Sequence, residues 1–315
     1  MSRPPSSMGE FDLIARLFAP LTKGAPGAHG LRDDAAFLQV SPGHEMVLTT
    51  DTLVAGVHFR IEDAPDLVAR KALRVNLSDL AAKGAKPVGF LHALTLNDSI
   101  TDAYLEKYAA GLATDVAAFA CPLLGGDTTS GPGPLTITIT ALGEVETGKA
   151  VLRSGAKVGD ILYVTGTIGD GALGLASLMG ELQTFAALID RYHVPQPRLG
   201  LGLSGIASAC LDISDGLVAD VGHLCRASGV AAVIERAKIP VSIDARAAVA
   251  QDQKWWERIL AGGDDYELAF TASSAIPETN VSVTAIGRVI AGNGVTVLDE
   301  NGESLSLTVT GYRHR

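Results

Sequence analysis

Cysteine is scarce in this chain of 315 residues: Cys121, Cys210 and Cys225 form an odd, widely spaced set with no CxxC pair. That speaks against a disulfide framework or a clustered zinc site, and it fits a reducing, cytoplasmic compartment. Positive charge is short as well, with 25 Lys and Arg against 35 Asp and Glu and a formal net charge of -10. Nucleic acid and anionic membrane surfaces require basic patches that neutralise phosphates, so neither is expected as a partner. An anionic substrate would need bridging cations. No apolar run reaches membrane-spanning length, and the N-terminal segment arrives at Glu10, Asp12 and Arg16 without the apolar stretch of a signal peptide. With 47% hydrophobic and 19% charged residues, the chain is long enough for two globular domains with cores of their own.

Aspartate, by contrast, recurs in one setting. It ends apolar, strand-like runs in Arg32-Asp33-Asp34-Ala35, Thr49-Thr50-Asp51-Thr52, Gly125-Gly126-Asp127-Thr128, Asp212-Ile213-Ser214-Asp215-Gly216 and Gly263-Asp264-Asp265-Tyr266, and Asp79 lies in a helical stretch. Carboxylates beside hydroxyls and glycines suit a hard divalent cation, since Mg²⁺ takes oxygen ligands and shares them with phosphate and water. A single aspartate at a strand end commonly caps the next helix. As a set, joined to hydroxyls at strand ends where open α/β sheets place ligands, they point to a metal-phosphate site.

The pattern of apolar residues predicts the elements that carry these groups. Phe11, Ile14, Leu17 or Phe18, and Leu21 give an amphipathic N-terminal helix. Met46 to Leu48 reads as a strand delivering Asp51, and Asp63 to Gly84 as a helix with Asn76, Asp79 and Lys83 on one face. A strand over 88–96, a helix over 101–120 with Tyr104, Tyr108 and Leu112 on one stripe, and a strand at Leu123-Leu124 follow. Leu135, Ile137, Ile139 and Ala141 alternate with threonines as a half-buried strand. A Gly-, Lys- and Arg-rich stretch over 143–159 places a domain boundary near 148. Beyond it come a strand over 161–165, a Gly-flanked helix, a connection at Pro195 and Pro197, another helix, and a strand over 210–213. A helix over 217–227 and strands over 230–234 and 266–270 complete the pattern, and Asn293-Gly294 and Asn301-Gly302 read as hairpin turns. Alternating strands and helices predict layered α/β domains.

Three familiar motifs are imitated here. Gly143, Gly148 and Lys149 have P-loop spacing, but Ala150 stands where Ser or Thr is required and no helix begins there. Gly200, Gly202 and Gly205 spell a dinucleotide fingerprint, yet they follow prolines within a helical pattern instead of a strand. The segment from Asp212 fails as a calcium loop because His223 occupies the position that needs a bidentate Glu. His58 reads first as a partly buried, satisfied histidine and second as a phosphate or substrate contact. Arg153, Lys157 and Tyr312 have solvation or packing as their ordinary roles.

The segments Gly9-Glu10-Phe11-Asp12, Asp33-Asp34-Ala35, Thr50 to Phe59, Lys71 to Ala82 and Gly125 to Thr129 together resemble the thiamine-monophosphate kinase family of the AIR-synthetase-related, PurM-like superfamily. Arg153 to Ala156, Tyr163 to Thr167, Asp212 to Leu217 and Gly263 to Leu268 continue the resemblance over nearly the whole chain. It implies a two-domain PurM-like fold of mixed α/β class. In it, residues 1–148 form an ATP- and metal-binding mixed sheet with helices that dimerises, and 149–315 a C-terminal α/β domain that closes the site. The implied activity is ATP-dependent phosphorylation of thiamine monophosphate to thiamine diphosphate, with Mg²⁺ as cofactor, in a cytoplasmic homodimer. Asp34, Thr49, Thr50, Asp51, Asp79, Asp127, Asp212 and Asp215 would hold the metal ions. Tyr108, Gly126, Asp127, Arg153 and Ser214 would contact ATP, while His58, Asp264 and Tyr312 would contact the thiamine phosphate. Asp127, Arg153 and Asp215 would be the catalytic group.

The chain departs from the family pattern at Leu31-Arg32, where a Gly-x-Gly is usual, and at Asp264, where Glu is usual. Tyr312 rests on a short match. The acceptor that the resemblance implies is an anionic phosphate monoester, so no general base would be required, and catalysis would reduce to positioning and charge neutralisation. The alternatives are another AIR-synthetase-related enzyme or a non-catalytic metal or nucleotide sensor. A selenophosphate synthetase would carry a reactive Cys or selenocysteine near its N-terminus, whereas the first Cys here is Cys121. A hydrogenase-maturation relative would end in a Cys-bearing tail, whereas this chain ends in Tyr312-Arg313-His314-Arg315.

Overall fold

Leu135, Ile137, Ile139 and Ala141 are buried and the threonines between them are partly exposed, because successive side chains of an extended strand point to opposite faces. The structure, a computed structural model, describes residues 9–312; Arg313, His314 and Arg315 lie outside the described residues. The described chain forms two units, residues 9–80 with 86–147 and residues 81–85 with 148–312.

The first unit begins with α1 (Glu10–Leu13), which continues through a π turn (Ile14–Phe18) and two 3₁₀ turns (Ala19–Thr22 and Pro26–Leu31). This differs from the regular amphipathic helix predicted there. The wider π turn carries the inward face from Leu13 to Phe18 and then Leu21, which are buried, and leaves Phe11 84% exposed. Next come β1 (His44–Val54), α2 (Pro65–Ala82), β2 (Lys86–Leu96), α3 (Asp102–Phe119), β3 (Leu123–Ser130) and β4 (Thr136–Glu146). The sheet order is β1-β4-β2-β3, with β1 and β2 antiparallel to β4 and β3 parallel to β2. One face carries Leu53, Phe90, Leu94, Ile137 and Ile139, all buried. α2 and α3 approach closely, since a Cβ on Gly111 would lie 2.2 Å from the Asp66 carbonyl oxygen. They are also joined by Arg74, which donates to both oxygens of the buried Asp115.

The second unit contains β5 (Ile161–Thr165), α4 (Asp170–Leu178), α5 (Ala186–His193), β6 (Ala209–Asp212), α6 (Leu217–Ser228) and β7 (Ala231–Glu235). It continues with α7 (Ile243–Gln251), α8 (Trp255–Ala261), β8 (Leu268–Ala272), β9 (Val283–Ile290) and β10 (Gly294–Leu298). Its sheet order is β10-β7-β9-β5-β8-β6, antiparallel except for the parallel β10–β7 pair. Leu162, Val164 and Ile286 pack with Leu217, Val221 and Ile259 in one core cluster, and Tyr163 stacks on Phe270 in another. Apolar contacts on both faces explain why these strands read as continuous hydrophobic runs.

Two expectations are corrected here. No helix forms after Pro197: Gly200, Gly202 and Gly205 all take left-handed φ values of 76°, 66° and 75°, a backbone that ends helices instead of propagating them. Asn293-Gly294 does not close a hairpin, because β7 lies between β9 and β10 and pairs with both. The turn at Asn301-Gly302 does reverse the chain, with Leu305 N–H reaching the Val297 carbonyl. Among the described residues, no helix is long and apolar enough to cross a membrane.

Candidate active site

Asp51 lies inside β1 and Asp127 inside β3, not at the strand ends predicted for them. β4 pairs with β1 residue by residue from His44 to Val54 and so carries the strand through its polar stretch. Side-chain alternation then divides the Thr49-Thr50-Asp51 run. Thr49 and Asp51 share the face of Ala141 and Ile139, which is covered by α2. There the Thr49 hydroxyl donates to Asp79 Oδ2 at 2.5 Å, and the Asp51 N–H donates to Asn76 Oδ1 at 3.1 Å. Asn76 and Asp79 meet β1 together because residues three apart lie on one helix face. Burial, followed by the neighbouring Asp79 carboxylate, raises the pKa of Asp51 from 3.8 to about 6. Lys83 does not continue this face: it lies past the end of α2, and in the second unit its ammonium donates to the Cys210 carbonyl.

The Thr50 side chain points the other way, where it accepts a hydrogen bond from the Thr140 hydroxyl. By side chain it therefore cannot join Thr49 and Asp51. Asp127 is opposite Ala93, and Ala93 opposite Thr138, so Asp127 also belongs to this open face. A cavity of about 680 Å³ lies here, lined by Phe11, Ile14 and Leu31 on its apolar side and by Asp33, Asp34 and Asp127 on its acidic side. Gly126 also lines it, and no larger residue fits that strand position: a Cβ would fall 1.9 Å from the His92 carbonyl oxygen. Tyr108, for which the resemblance implies an ATP contact, is instead 1% exposed in the core, with its hydroxyl 2.8 Å from His92 Nε2 and the two rings stacked. Burial pushes His92 down to about 4, so its ring is neutral. His58 is half-buried, and its Nδ1 accepts the Val54 N–H at 3.0 Å. In the neutral ring this leaves the proton on Nε2.

Leu31 takes φ 58°. The family's usual glycine would adopt this conformation freely, whereas a non-glycine residue pays roughly 1–2 kcal/mol for it. Asp264 is also left-handed, at φ 64°, but aspartate tolerates that region better than most residues.

In the second unit, β6 ends at the buried Asp212 and the chain turns through Ile213 to Gly216 into α6. This turn gathers several of the predicted residues. The Asp264 N–H donates to the Ser214 carbonyl and the Tyr312 N–H to the Asp215 carbonyl, both at 2.9 Å. Tyr312 is 48% exposed, and Ser214 and Arg153 are exposed as well. Sequence reasoning missed Asp220 and His223, whose ligand atoms lie with those of Asp215 within 4.8 Å of one another. Burial, then the Asp215 charge, raises Asp220 to about 7 against three backbone hydrogen bonds that lower it. Burial, then Arg226 and Arg153, lowers His223 while Asp215 raises it. Asp265 and Glu267 matched the family motif without a role. Asp265 is buried and accepts the N–H groups of Gly169 and Gly171 at the start of α4, and burial holds it well above the usual carboxylate range.

Residues 32–145 match the family model described as AIR synthase related protein, N-terminal domain. With the two mixed sheets, this makes the fold an AIR-synthase-related, PurM-like α/β fold. The chain is 43% identical to a thiamine-monophosphate kinase of Caulobacter vibrioides, over 99% of this chain and 91% of the relative. It is 40% identical to the enzyme of that name from Escherichia coli K12, over 97% and 98%. A solved structure described as AaThiL complexed with AMPPCP and TMP superimposes with a TM-score of 0.79, at 32% identity over 97% of each chain. The chain belongs to the thiamine-monophosphate kinase family.

Proposed function

We propose that this protein transfers the γ-phosphoryl group of ATP to thiamine monophosphate, giving thiamine diphosphate and ADP. The observation that carries the reading is end-to-end similarity to thiamine-monophosphate kinases, from which one relative was solved with AMPPCP and TMP. The oxygen-rich, partly buried Thr49, Asp51 and Asp79 group supports it. Two neighbouring carboxylates, one with a raised pKa, fit a hard divalent cation. We assign Asp34, Thr49, Thr50, Asp51, Asp79, Asp127, Asp212 and Asp215 as magnesium ligands, with the Thr50 side chain on the open face of Asp127 and those of Thr49 and Asp51 on the face covered by α2. Mg²⁺, when bound, supplies neutralisation of phosphate charge.

In the reaction, an acceptor phosphate oxygen forms a bond to the γ-phosphorus as the bond to the β,γ-bridging oxygen breaks, and that electron pair leaves with ADP. The acceptor is already ionised, so no proton has to be removed. Gly126 gives the nucleotide a close backbone approach, Ser214 a hydroxyl and Arg153 a guanidinium for charge on the transferring group. Tyr108 acts at one remove, fixing the His92 segment on which Gly126 rests. His58, Asp264 and Tyr312 are assigned to the thiamine phosphate. We infer that residues 1–148 form the metal-binding and dimerising domain and 149–315 the C-terminal domain, and that the enzyme works in the cytoplasm.

ADP release should require Mg²⁺ and thiamine monophosphate together, and free thiamine, whose hydroxyl is not ionised, should be a far poorer acceptor. Equal rates with the two acceptors would overturn the mechanism. For the homodimer, support comes from the open sheet face, where Leu48 is 63% and Leu91 40% exposed beside rows of threonine. Closing the sheets of two copies into a shared barrel by strand pairing would also remove exposed strand edges. Sedimentation at micromolar concentration should give twice the chain mass, and an active monomer would refute the pairing.

A further inference from the structure

The turn that carries Ser214 and Asp215 is held by one side chain that neither the sequence motifs nor the comparisons single out. The N–H groups of Ser214, Asp215 and Gly216 all donate to Asp220 Oδ2, at 3.0, 2.9 and 3.1 Å. Successive N–H groups of a chain converge on one oxygen only in a tightly defined backbone conformation, the concave nest that otherwise receives an anion. The carbonyls of Ser214 and Asp215 are taken by Asp264 and Tyr312, and the Asp220 N–H closes the first turn of α6 on the Gly216 carbonyl. The backbone N–H and carbonyl groups of Ser214 and Asp215 are thus all engaged. Their side chains are left as the groups that can serve a ligand, and Asp220 itself is 5% exposed.

Gly216 shows how little slack the turn has. It takes φ 121°, and a Cβ there would lie 2.8 Å from the backbone of Ala261. Gly263 presses from the same side, where a Cβ would come within 2.3 Å of the Ser214 carbonyl oxygen. The turn is packed from outside by the loop after α8 and tied from inside by Asp220.

We propose that Asp220 is a positioning residue for phosphoryl transfer: by gathering these three N–H groups it sets the directions of the Asp215 carboxylate and the Ser214 hydroxyl toward the magnesium nucleotide. The proposal rests on the functional reading above, in which Ser214 and Asp215 meet that ligand. A helix-capping carboxylate with no further role would contribute stability alone. A positioning carboxylate also sets metal affinity, because partners that orient metal ligands typically govern it by about 10–100-fold.

The test compares wild type with Asp220→Ala and Asp220→Glu, the latter keeping the charge while displacing the acceptor oxygen. Each is assayed for the Mg²⁺ concentration that half-saturates turnover, and for ATP binding with Mg²⁺ by calorimetry. In both variants we expect the half-saturating Mg²⁺ to rise and nucleotide affinity to fall by about tenfold or more, with a larger change for Ala. Lower thermal stability with wild-type Mg²⁺ dependence and wild-type nucleotide affinity per folded molecule would reduce Asp220 to a cap. If Asp220→Ala does not fold, the Glu variant decides by the same two readouts. Absence of turnover in the wild type would overturn the functional reading instead, and calorimetry on all three proteins would still decide the role of Asp220.

Discussion

Replacing Asp51 by Asn should cut kinase turnover by about a hundredfold or more and, in the metal-free protein, raise the melting temperature. The two effects share one cause. Asp51 is held in a partly buried position beside Asp79, and its pKa stands near 6 instead of 3.8. A carboxyl group whose pKa is raised on folding contributes its full stability below the unfolded value and loses it as pH rises through the folded one. At about pH 8 the ionised Asp51 therefore works against folding. Asn has the same shape, carries no charge, and removes that penalty together with a proposed metal ligand. The gain in melting temperature should be largest well above pH 6 and vanish below 3.8. Added Mg²⁺ should stabilise wild type more than the variant, since a ligand stabilises the state that binds it. Thermal scans across pH with and without Mg²⁺ check this. Turnover within a few-fold of wild type, or an unchanged melting temperature at alkaline pH, would remove Asp51 from the metal group.

This charged pocket was legible in composition but not in geometry. Apolar periodicity located β4, β5, β6 and α6, because each has a core-facing pattern of its own. β1 and β3 were cut short, since Thr49 to Thr52 and Gly125 to Ser130 are polar or glycine-rich and become strand only by pairing with β4 and β2. Once those segments are strands, the period of two places Thr49 and Thr50 on opposite faces, which adjacency in a motif conceals. The stripe of Tyr104, Tyr108 and Leu112 did hold the signal that Tyr108 faces the core, and the resemblance drew it toward ATP instead. Long-range order was the least readable: nothing local tells Asn293-Gly294 that β7 will lie between its flanking strands. For Asp220 a local signal existed. It stands within the first turn of α6, where a carboxylate can reach back to the N–H groups ahead of the helix.

Truncating Glu267 to Ala should destabilise the protein by about 3–5 kcal/mol, the cost of stranding buried partners of opposite charge. Glu267 is fully buried, and its carboxylate accepts from Arg191 at 2.9 Å, from Arg198 Nε and Nη2, and from the Thr165 hydroxyl at 2.6 Å. The side chains of Arg191 and Arg198 are only 18% and 19% exposed, so water replaces the lost partner poorly. The position also belongs to the clamp on the turn between β6 and α6: the Glu267 carbonyl accepts the Ile213 N–H, and the Tyr266 N–H reaches the Ile213 carbonyl, both at 2.8 Å. The Gly263 to Leu268 motif therefore combines separate tasks. The Asp264 N–H ties the loop to the Ser214 carbonyl, Asp265 holds the start of α4, and Glu267 neutralises two guanidiniums. Urea unfolding of Glu267→Ala and Glu267→Gln distinguishes charge from shape. Gln keeps an acceptor for Thr165 but not the anion, so it should fall between Ala and wild type. A loss below about 1 kcal/mol for Ala, the range of exposed ion pairs, would show that Arg191 and Arg198 are satisfied without Glu267, and the motif's last acidic residue would need another explanation.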